Sequence, residues 1–151
     1  MLKRILKNEK GLTLIELLAV VVILGIIAAI AIPAIGKIID DSRDKAVVSD
    51  ALQIINAAKI AKAANPTANT FVGGNTDPTG TEVDLDQYLD SKIEDTKVAV
   101  TFNSTTNEWS ISGHGKLQGT NGIKGFKKNT TISEKQLLKF LEDGTRPTEG
   151  S

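Results

Sequence analysis

The chain has 151 residues, with 18 lysines and arginines balanced by 18 aspartates and glutamates, no cysteine and one histidine. A chain without net positive charge offers no general field for nucleic acid. A chain without cysteine holds neither a disulfide nor a thiolate zinc site.

The amino-terminal segment has the length and charge pattern of a membrane-spanning helix. Leu17 to Gly36 is a run of 20 uncharged residues, which at about 1.5 Å per residue extends roughly 30 Å, the thickness of the hydrocarbon core of a bilayer. Upstream of it, four basic residues outweigh Glu9, namely Lys3, Arg4, Lys7 and Lys10. The positive-inside rule therefore predicts a cytoplasmic N-terminus and an exported C-terminal bulk.

Two other interpretations fit this pattern. A cleaved secretory signal peptide also places a basic region before an apolar one, but this apolar run is longer than usual and continues as apolar helix past Pro33. An uncleaved signal anchor has the right length and charge. Only the arrangement of Gly11 and Glu16 argues against the anchor.

Residues KGLTLIELL, followed by Gly25 and by AAIAIP ending at Pro33, resemble the class III signal of type IV pilins and pseudopilins. The resemblance implies cleavage by a prepilin peptidase between Gly11 and Leu12, which leaves the apolar helix on the mature protein. It also implies N-methylation of Leu12, a position that is phenylalanine in most members of the family.

Glu16 is the one carboxylate at the start of the apolar run. An ionised carboxylate near the hydrocarbon boundary costs about 1 to 3 kcal/mol on insertion scales, so it needs a partner or a proton. Cleavage after Gly11 creates an α-amine on Leu12, four residues away and on the same helical face. A pair within one chain and a pair with a neighbouring subunit are both geometrically open, and the resemblance favours the neighbour. We expect Glu16 to drive assembly rather than insertion.

Pro33 interrupts a segment of otherwise continuous helix propensity, because proline removes one backbone hydrogen bond and clashes with the preceding turn. A kink or an unwound stretch is expected between Gly25 and Pro33. A simple kink and a role in fibre extension both fit; in the resembling family this segment loosens inside the filament.

Residues 37–64 continue the helix, with apolar positions recurring every three or four residues from Val47 to Ala61. Asn65 ends it, because a residue before proline is disfavoured in a helix. No regular element is predicted for residues 65–82, which are rich in Pro, Gly, Thr and Asn. Asp84 is expected to cap a short helix that ends near Ile93.

The rest of the chain predicts a small head. KVAVTFN and EWSIS alternate as the strands of an antiparallel hairpin, and five closely spaced glycines from Gly113 to Gly125 suggest turns around one or two short strands. Ser133 and Gln136 form a capping-box pattern before a helix that closes at Gly144.

The predicted fold is α+β: a long N-terminal helix packed on a small antiparallel sheet with short helices. The proposed division is a leader over 1–11, a transmembrane or assembly helix over 12–36, an amphipathic helix over 37–64, a head over 65–144 and a flexible tail over 145–151. The expected core residues are Val98, Val100, Phe102 and Trp109.

No enzymatic site is predicted, since the chain lacks a GxSxG elbow and a phosphate-binding loop. His114 is expected to be a loop residue between two glycines. The acidic stretch of Asp77, Glu82, Asp84 and Asp86 could supply oxygen ligands to calcium, but it lacks EF-hand spacing. No metal or cofactor is predicted. Two sequons, at 103–105 and 129–131, permit glycosylation.

The sequence therefore predicts a structural subunit stored in the cytoplasmic membrane and polymerised into a surface fibre of a type IV pilus. Its implied partners are copies of itself, the prepilin peptidase, and a membrane platform with an ATPase motor. A pseudopilin of a type II secretion or competence DNA-uptake system is the close alternative, and a signal-anchored extracellular domain is the alternative of another class.

Overall fold

The computed structural model describes residues 2–74, 77–90, 92–93, 97–118, 122–127 and 130–147, with side chains described from residue 13 onward. The chain forms two compact units, residues 1–42 and residues 43–151. A single helix, α1 (Leu2–Ala64), accounts for the described part of the first unit and the opening part of the second. The predicted long N-terminal helix is confirmed.

In the second unit α1 presents one apolar face to the core. Val48, Ala51, Ile55 and Ala58 recur every three or four residues and are fully buried, as expected for one face of an α-helix packed on a sheet. The helix ends at Ala64, one residue before Asn65, whose N–H still donates to the carbonyl of Ala61. Pro66 prevents the next turn.

The head contains one five-stranded mixed sheet in the order β2-β1-β3-β4-β5. Its strands are β1 (Thr70–Gly73), β2 (Val83–Asp84), β3 (Val98–Asn103), β4 (Glu108–Ser112) and β5 (Ile132–Ser133). The expected β3–β4 hairpin is confirmed, with Val100 opposite Ile111 and Phe102 opposite Trp109. The sheet is not purely antiparallel as predicted, because β2 runs parallel to β1.

Strand β1 lies in the segment for which no regular element was predicted, so that prediction was wrong. Phe71 and Val72 are fully buried, and β1 pairs antiparallel with β3 over four residues, with Phe71 opposite Val100. The composition around Phe71 is typical of a loop, so it does not indicate a strand. The strand is stabilised by pairing and burial rather than by local propensity.

The helix expected from Asp84 to Ile93 was also wrong. The described residues of this range, 84–90 and 92–93, contain a single 3-10 turn, Asp86–Tyr88, and Asp84 belongs to β2. The Asp84 carboxylate accepts from the Asp86 N–H at 2.9 Å, which closes an Asx-type turn instead of capping a longer helix. Leu85 is nevertheless buried in the core.

The glycine-rich region contains a short helix, α2 (Gly115–Gln118), which was not predicted, before the short strand β5. Gly113 has φ +80, and a Cβ there would collide with the carbonyl oxygen of Lys97. Both facts require glycine at this turn.

Helix α3 (Glu134–Asp143) begins and ends as predicted. Gln136 N–H donates to Ser133 Oγ at 3.3 Å, and Ser133 N–H donates to Gln136 Oε1 at 3.0 Å, which completes the capping box. Gly144 closes the helix in the left-handed conformation at φ 73, the usual C-terminal geometry. Leu137 and Phe140 face the core.

Two ion pairs join α1 to the C-terminal part of the head. Lys59 pairs with Glu134 at the start of α3, and Asp44 pairs with Arg146 just beyond its end at 3.2 Å. Helix α3 therefore runs antiparallel to this part of α1. The Arg146 guanidinium also lies 6.0 Å from the ring centre of Phe140, so the described start of the predicted tail contacts the head; residues 148–151 lie outside the described residues.

The core predictions were right for two of four residues. Val98 and Val100 are fully buried, whereas Trp109 packs against the core while partly exposed and Phe102 lies at its edge, also partly exposed. The Phe102 and Trp109 rings stack across the hairpin with centres 4.8 Å apart.

Candidate assembly site

The first unit is an apolar helix with no core of its own. Its large aliphatic side chains from Leu14 to Ile39 are between 47% and 71% exposed, with Ile39 and Ile30 at the two extremes. A continuous exposed apolar surface of this kind marks a membrane or protein contact. In the described part of the chain, α1 is the one helix long and apolar enough to cross a bilayer, with a mean hydropathy of 3.0 in its most apolar window.

Glu16 lies on this apolar surface. The neighbouring Ile15 and Leu17 are 65% and 67% exposed, and the Glu16 side chain is exposed as well. Among the side chains described, it has neither a hydrogen-bond partner nor a salt-bridge partner. Among the described side chains, nothing compensates a carboxylate so placed once water is removed.

Gly11 and Leu12, the predicted cleavage position, lie in the helical backbone of α1. The side chains of residues 1–12 lie outside the described part of the chain. Cleavage between Gly11 and Leu12, and methylation of Leu12, therefore stay predictions.

Gly25 and Pro33 were expected to mark a helix break, yet α1 is helical without interruption through both residues. One lost backbone hydrogen bond at Pro33 is compatible with a continuous helix here, and a kink, the other expectation for this segment, stays a prediction. No atom lies within 4 Å of a Cβ built on Gly25, so packing within the chain does not require glycine there. Loosening inside a fibre remains a prediction.

Comparison with known families identifies this segment. Residues 6–32 match the family model of the prokaryotic N-terminal methylation motif. This motif is the class III signal of type IV pilins and pseudopilins. Searches of curated proteins and of solved structures gave no significant match.

The class III signal covers Gly11, Leu12, Glu16 and Gly25 and stops one residue before Pro33. The exposed carboxylate and the apolar surface around it thus belong to one matched segment. The match supports a type IV pilin-like chain, while the head lies wholly outside it.

Three of the four head carboxylates that could supply ligands to calcium, Glu82, Asp84 and Asp86, are engaged in local turns. Glu82 Oε2 accepts from both the backbone N–H and the hydroxyl of Thr79 at 2.9 Å, and these bonds hold the pKa of Glu82 below its ordinary value. Asp86 Oδ1 accepts from the Gly74 N–H at 3.2 Å. The described residues contain no group of three side chains able to hold a metal ion.

His114 lies in the loop before α2, between Gly113 and Gly115, as expected, and this loop places it in the interior of the head. It is 3% exposed, and its Nδ1 accepts from the Leu117 N–H at 3.2 Å, so it caps the first turn of α2. The neighbouring glycines concealed this structural role. A polar residue just before a short helix was the available signal.

Lys62 was also missed, although a basic residue in the last turn of a helix commonly binds the free carbonyls there. Its Nζ donates to the carbonyls of Pro66 and Ala68, each at 2.8 Å, and to Asn69 Oδ1 at 2.9 Å. Nζ also lies 5.1 Å from the ring centre of Phe102. Lys62 thereby joins the end of α1 to the segment that leads into β1.

Of the sequon asparagines, Asn103 is exposed at the end of β3, where its Oδ1 accepts from the N–H groups of Thr105 and Thr106 at 2.9 and 3.3 Å. Asn129 lies outside the described residues.

Proposed function

We propose that this chain is a structural subunit of a type IV pilus-like fibre. It is held in the cytoplasmic membrane with its N-terminus inside the cell, cleaved by a prepilin peptidase after Gly11, and polymerised through α1. A membrane platform and an ATPase motor drive its assembly, and the finished fibre lies at the cell surface. The role of the chain is structural, not enzymatic.

The observation that carries the proposal is the exposed apolar surface of the first unit. Every buried hydrophobic residue of the described chain lies between Val48 and Phe140, so the head completes its core without the first 42 residues. Their aliphatic side chains need another apolar environment. Lipid supplies it before assembly, and the same helices of neighbouring subunits supply it in a fibre.

Glu16 supports the fibre over a plain membrane anchor. Cleavage after Gly11 would create on Leu12 a cation that none of the described side chains offers to this carboxylate. Two opposite charges about 4 Å apart attract by roughly 4 kcal/mol at an effective dielectric constant of 20. Repeated along a fibre, one such pair per subunit favours a single axial register.

The decisive experiment combines the intact mass of the mature chain with a fibre assay. The chain purified from native membranes or shed fibres is expected to begin at Leu12, with or without one added methyl group. Glu16→Ala, expressed as the sole pilin, should be cleaved and inserted normally but should form no fibre. Asp40→Ala, which removes an exposed carboxylate beyond the apolar run, is the matched control and should leave fibres intact.

Each contrary outcome points to a different function. A chain that begins at Met1 would indicate a signal anchor, and one that begins beyond Pro33 would indicate a secreted domain. Normal fibres from Glu16→Ala would contradict the role of the carboxylate in assembly. Long surface fibres would identify a pilus, whereas short periplasmic or wall-spanning ones would identify the pseudopilin alternative.

A further inference from the structure

Lys37, the first charged residue beyond the apolar run, and Asp41 are a second set of opposite charges four residues apart. Lys37 and Asp41 are both exposed on α1 and both belong to the first unit. Neither makes an ion pair with any side chain that the structure describes. Like Glu16, they are charges on the assembly helix without a partner among the described side chains.

The spacing of Lys37 and Asp41 repeats that of the Leu12 amine and Glu16, which are the first pair. Leu12 and Lys37 are 25 residues apart, and so are Glu16 and Asp41. At 3.6 residues per turn, 25 residues make almost seven complete turns, so each residue returns to within about 20° of its counterpart. The positive position precedes the negative one by four residues in both pairs.

Both pairs lie along one stripe of the helix. Between them the same azimuth is occupied by Ala19, Ile23, Ile30 and Ala34, all of which are exposed. The stripe is thus apolar throughout its length and charged at its two ends. An apolar seam with complementary charges at both ends suits a parallel neighbour of identical sequence.

We propose that Lys37 of one subunit forms an ion pair with Asp41 of a neighbouring copy. This copy is the one whose Glu16 pairs with the Leu12 amine of the first subunit. This inference rests on the proposed function, because it needs the fibre in which these helices lie side by side. If residue 12 of one helix faces residue 16 of a parallel copy, residue 37 faces residue 41 at the other end of the seam. The two contacts together fix both ends of the assembly helix in register.

Because the subunits are identical, the axial part of this match does not depend on the conformation between the two pairs. Any unwinding between Gly25 and Pro33 shifts Lys37 and Asp41 along the fibre axis by the same amount in every copy. Their relative axial offset therefore stays that of the Leu12–Glu16 contact.

An ion pair within one helix is the weaker alternative. Lysine placed four residues before an acid has the less favourable order for an intrahelical pair, and α1 shows no such contact. The neighbouring Asp40 lies about 100° around the helix from Asp41, which places it off the seam. It provides a carboxylate control at almost the same depth.

The first test is charge reversal in the full chain expressed as the sole pilin. Lys37→Glu and Asp41→Lys should each lower the yield of sheared fibre at least tenfold, since like charges then face each other. The double variant Lys37→Glu/Asp41→Lys should return to within twofold of wild type, as should the control Asp40→Lys. Mature mass and membrane insertion are measured for every variant.

The second test uses the absence of native cysteine. In oxidised fibres, Lys37→Cys/Asp41→Cys should give a ladder of covalent multimers, whereas Lys37→Cys/Asp40→Cys should remain monomeric. If the wild-type chain forms fibres, any one of three results would overturn the pairing alone. These are a normal fibre yield from Lys37→Glu, no rescue by the double variant, and no ladder of covalent multimers. Failure of the processed wild-type chain to form any fibre would overturn the proposed function, and the pairing with it.

Discussion

Replacing Phe71 by alanine should destabilise the head by about 4 kcal/mol. Phe71 is fully buried, and truncating a buried phenylalanine to alanine typically costs about 3–5 kcal/mol. Its ring centre lies 5.8 Å from that of Trp109, so an aromatic contact is also lost. Because domains of this size are stable by only about 5–15 kcal/mol, the variant should lose between about a quarter and four fifths of the original stability.

Phe102→Ala is the matched control. The Phe102 ring contacts Trp109 more closely, at 4.8 Å between centres, but it is partly exposed at the edge of the sheet. A half-buried aromatic ring should contribute about 1–2 kcal/mol. Burial, rather than aromatic contact, should therefore rank the two variants.

The assay is urea unfolding of a fragment that begins at Arg43. Unfolding is monitored by the fluorescence of the single tryptophan and by circular dichroism. The fragment should fold as a soluble domain, because the second compact unit contains all buried hydrophobic residues of the described chain. With a denaturant slope of about 2 kcal/mol per molar, Phe71→Ala should lower the midpoint by roughly 2 M. A loss smaller than that of Phe102→Ala would refute the assignment of β1 to the core.

Two further predictions concern local structure in the head. Ser133→Ala should destabilise the same fragment by about 1 kcal/mol, because it removes the oxygen that accepts from the Gln136 N–H; an unchanged urea midpoint would contradict this role of the capping box. The carboxyl of Glu82, observed by NMR titration, should show a pKa below that of an ordinary glutamate, so its contribution to stability is complete above the ordinary pKa and is lost as the pH falls through the folded value. Thr79→Ala removes the hydroxyl donor but keeps the backbone one, and it should raise the pKa of Glu82 partway; equal titration curves would show that the hydroxyl has no effect.

The elements that were predicted correctly are those specified by nearby residues. The capping box of α3 depends on two residues three positions apart, and the β3–β4 hairpin joins alternating strands through a short turn. The face of α1 that packs in the head is indicated by apolar residues that recur every three or four positions. Each pattern can be recognised in a short stretch of consecutive residues.

The errors arose where distant residues decide the conformation. Phe71 lies in a segment of loop-like composition, and it becomes part of a strand only through pairing with Val100, far along the chain. His114 is a loop residue between glycines, as predicted, but only the closed head shows that it is buried. Strand formation and burial in these cases depend on what packs against the residue.

The sequence by itself determined the part of this protein that carries the matched motif. The basic N-terminal residues, the apolar run and the carboxylate of Glu16 are linear features, and their charge and hydropathy need no fold to be recognised. The tertiary structure alone decided the mixed sheet, the internal place of His114, and the ion pairs that join α1 to α3 and Arg146. The physical reason is that hydropathy and capping act over a few residues, whereas the contacts of the head join positions as far apart as Asp44 and Arg146.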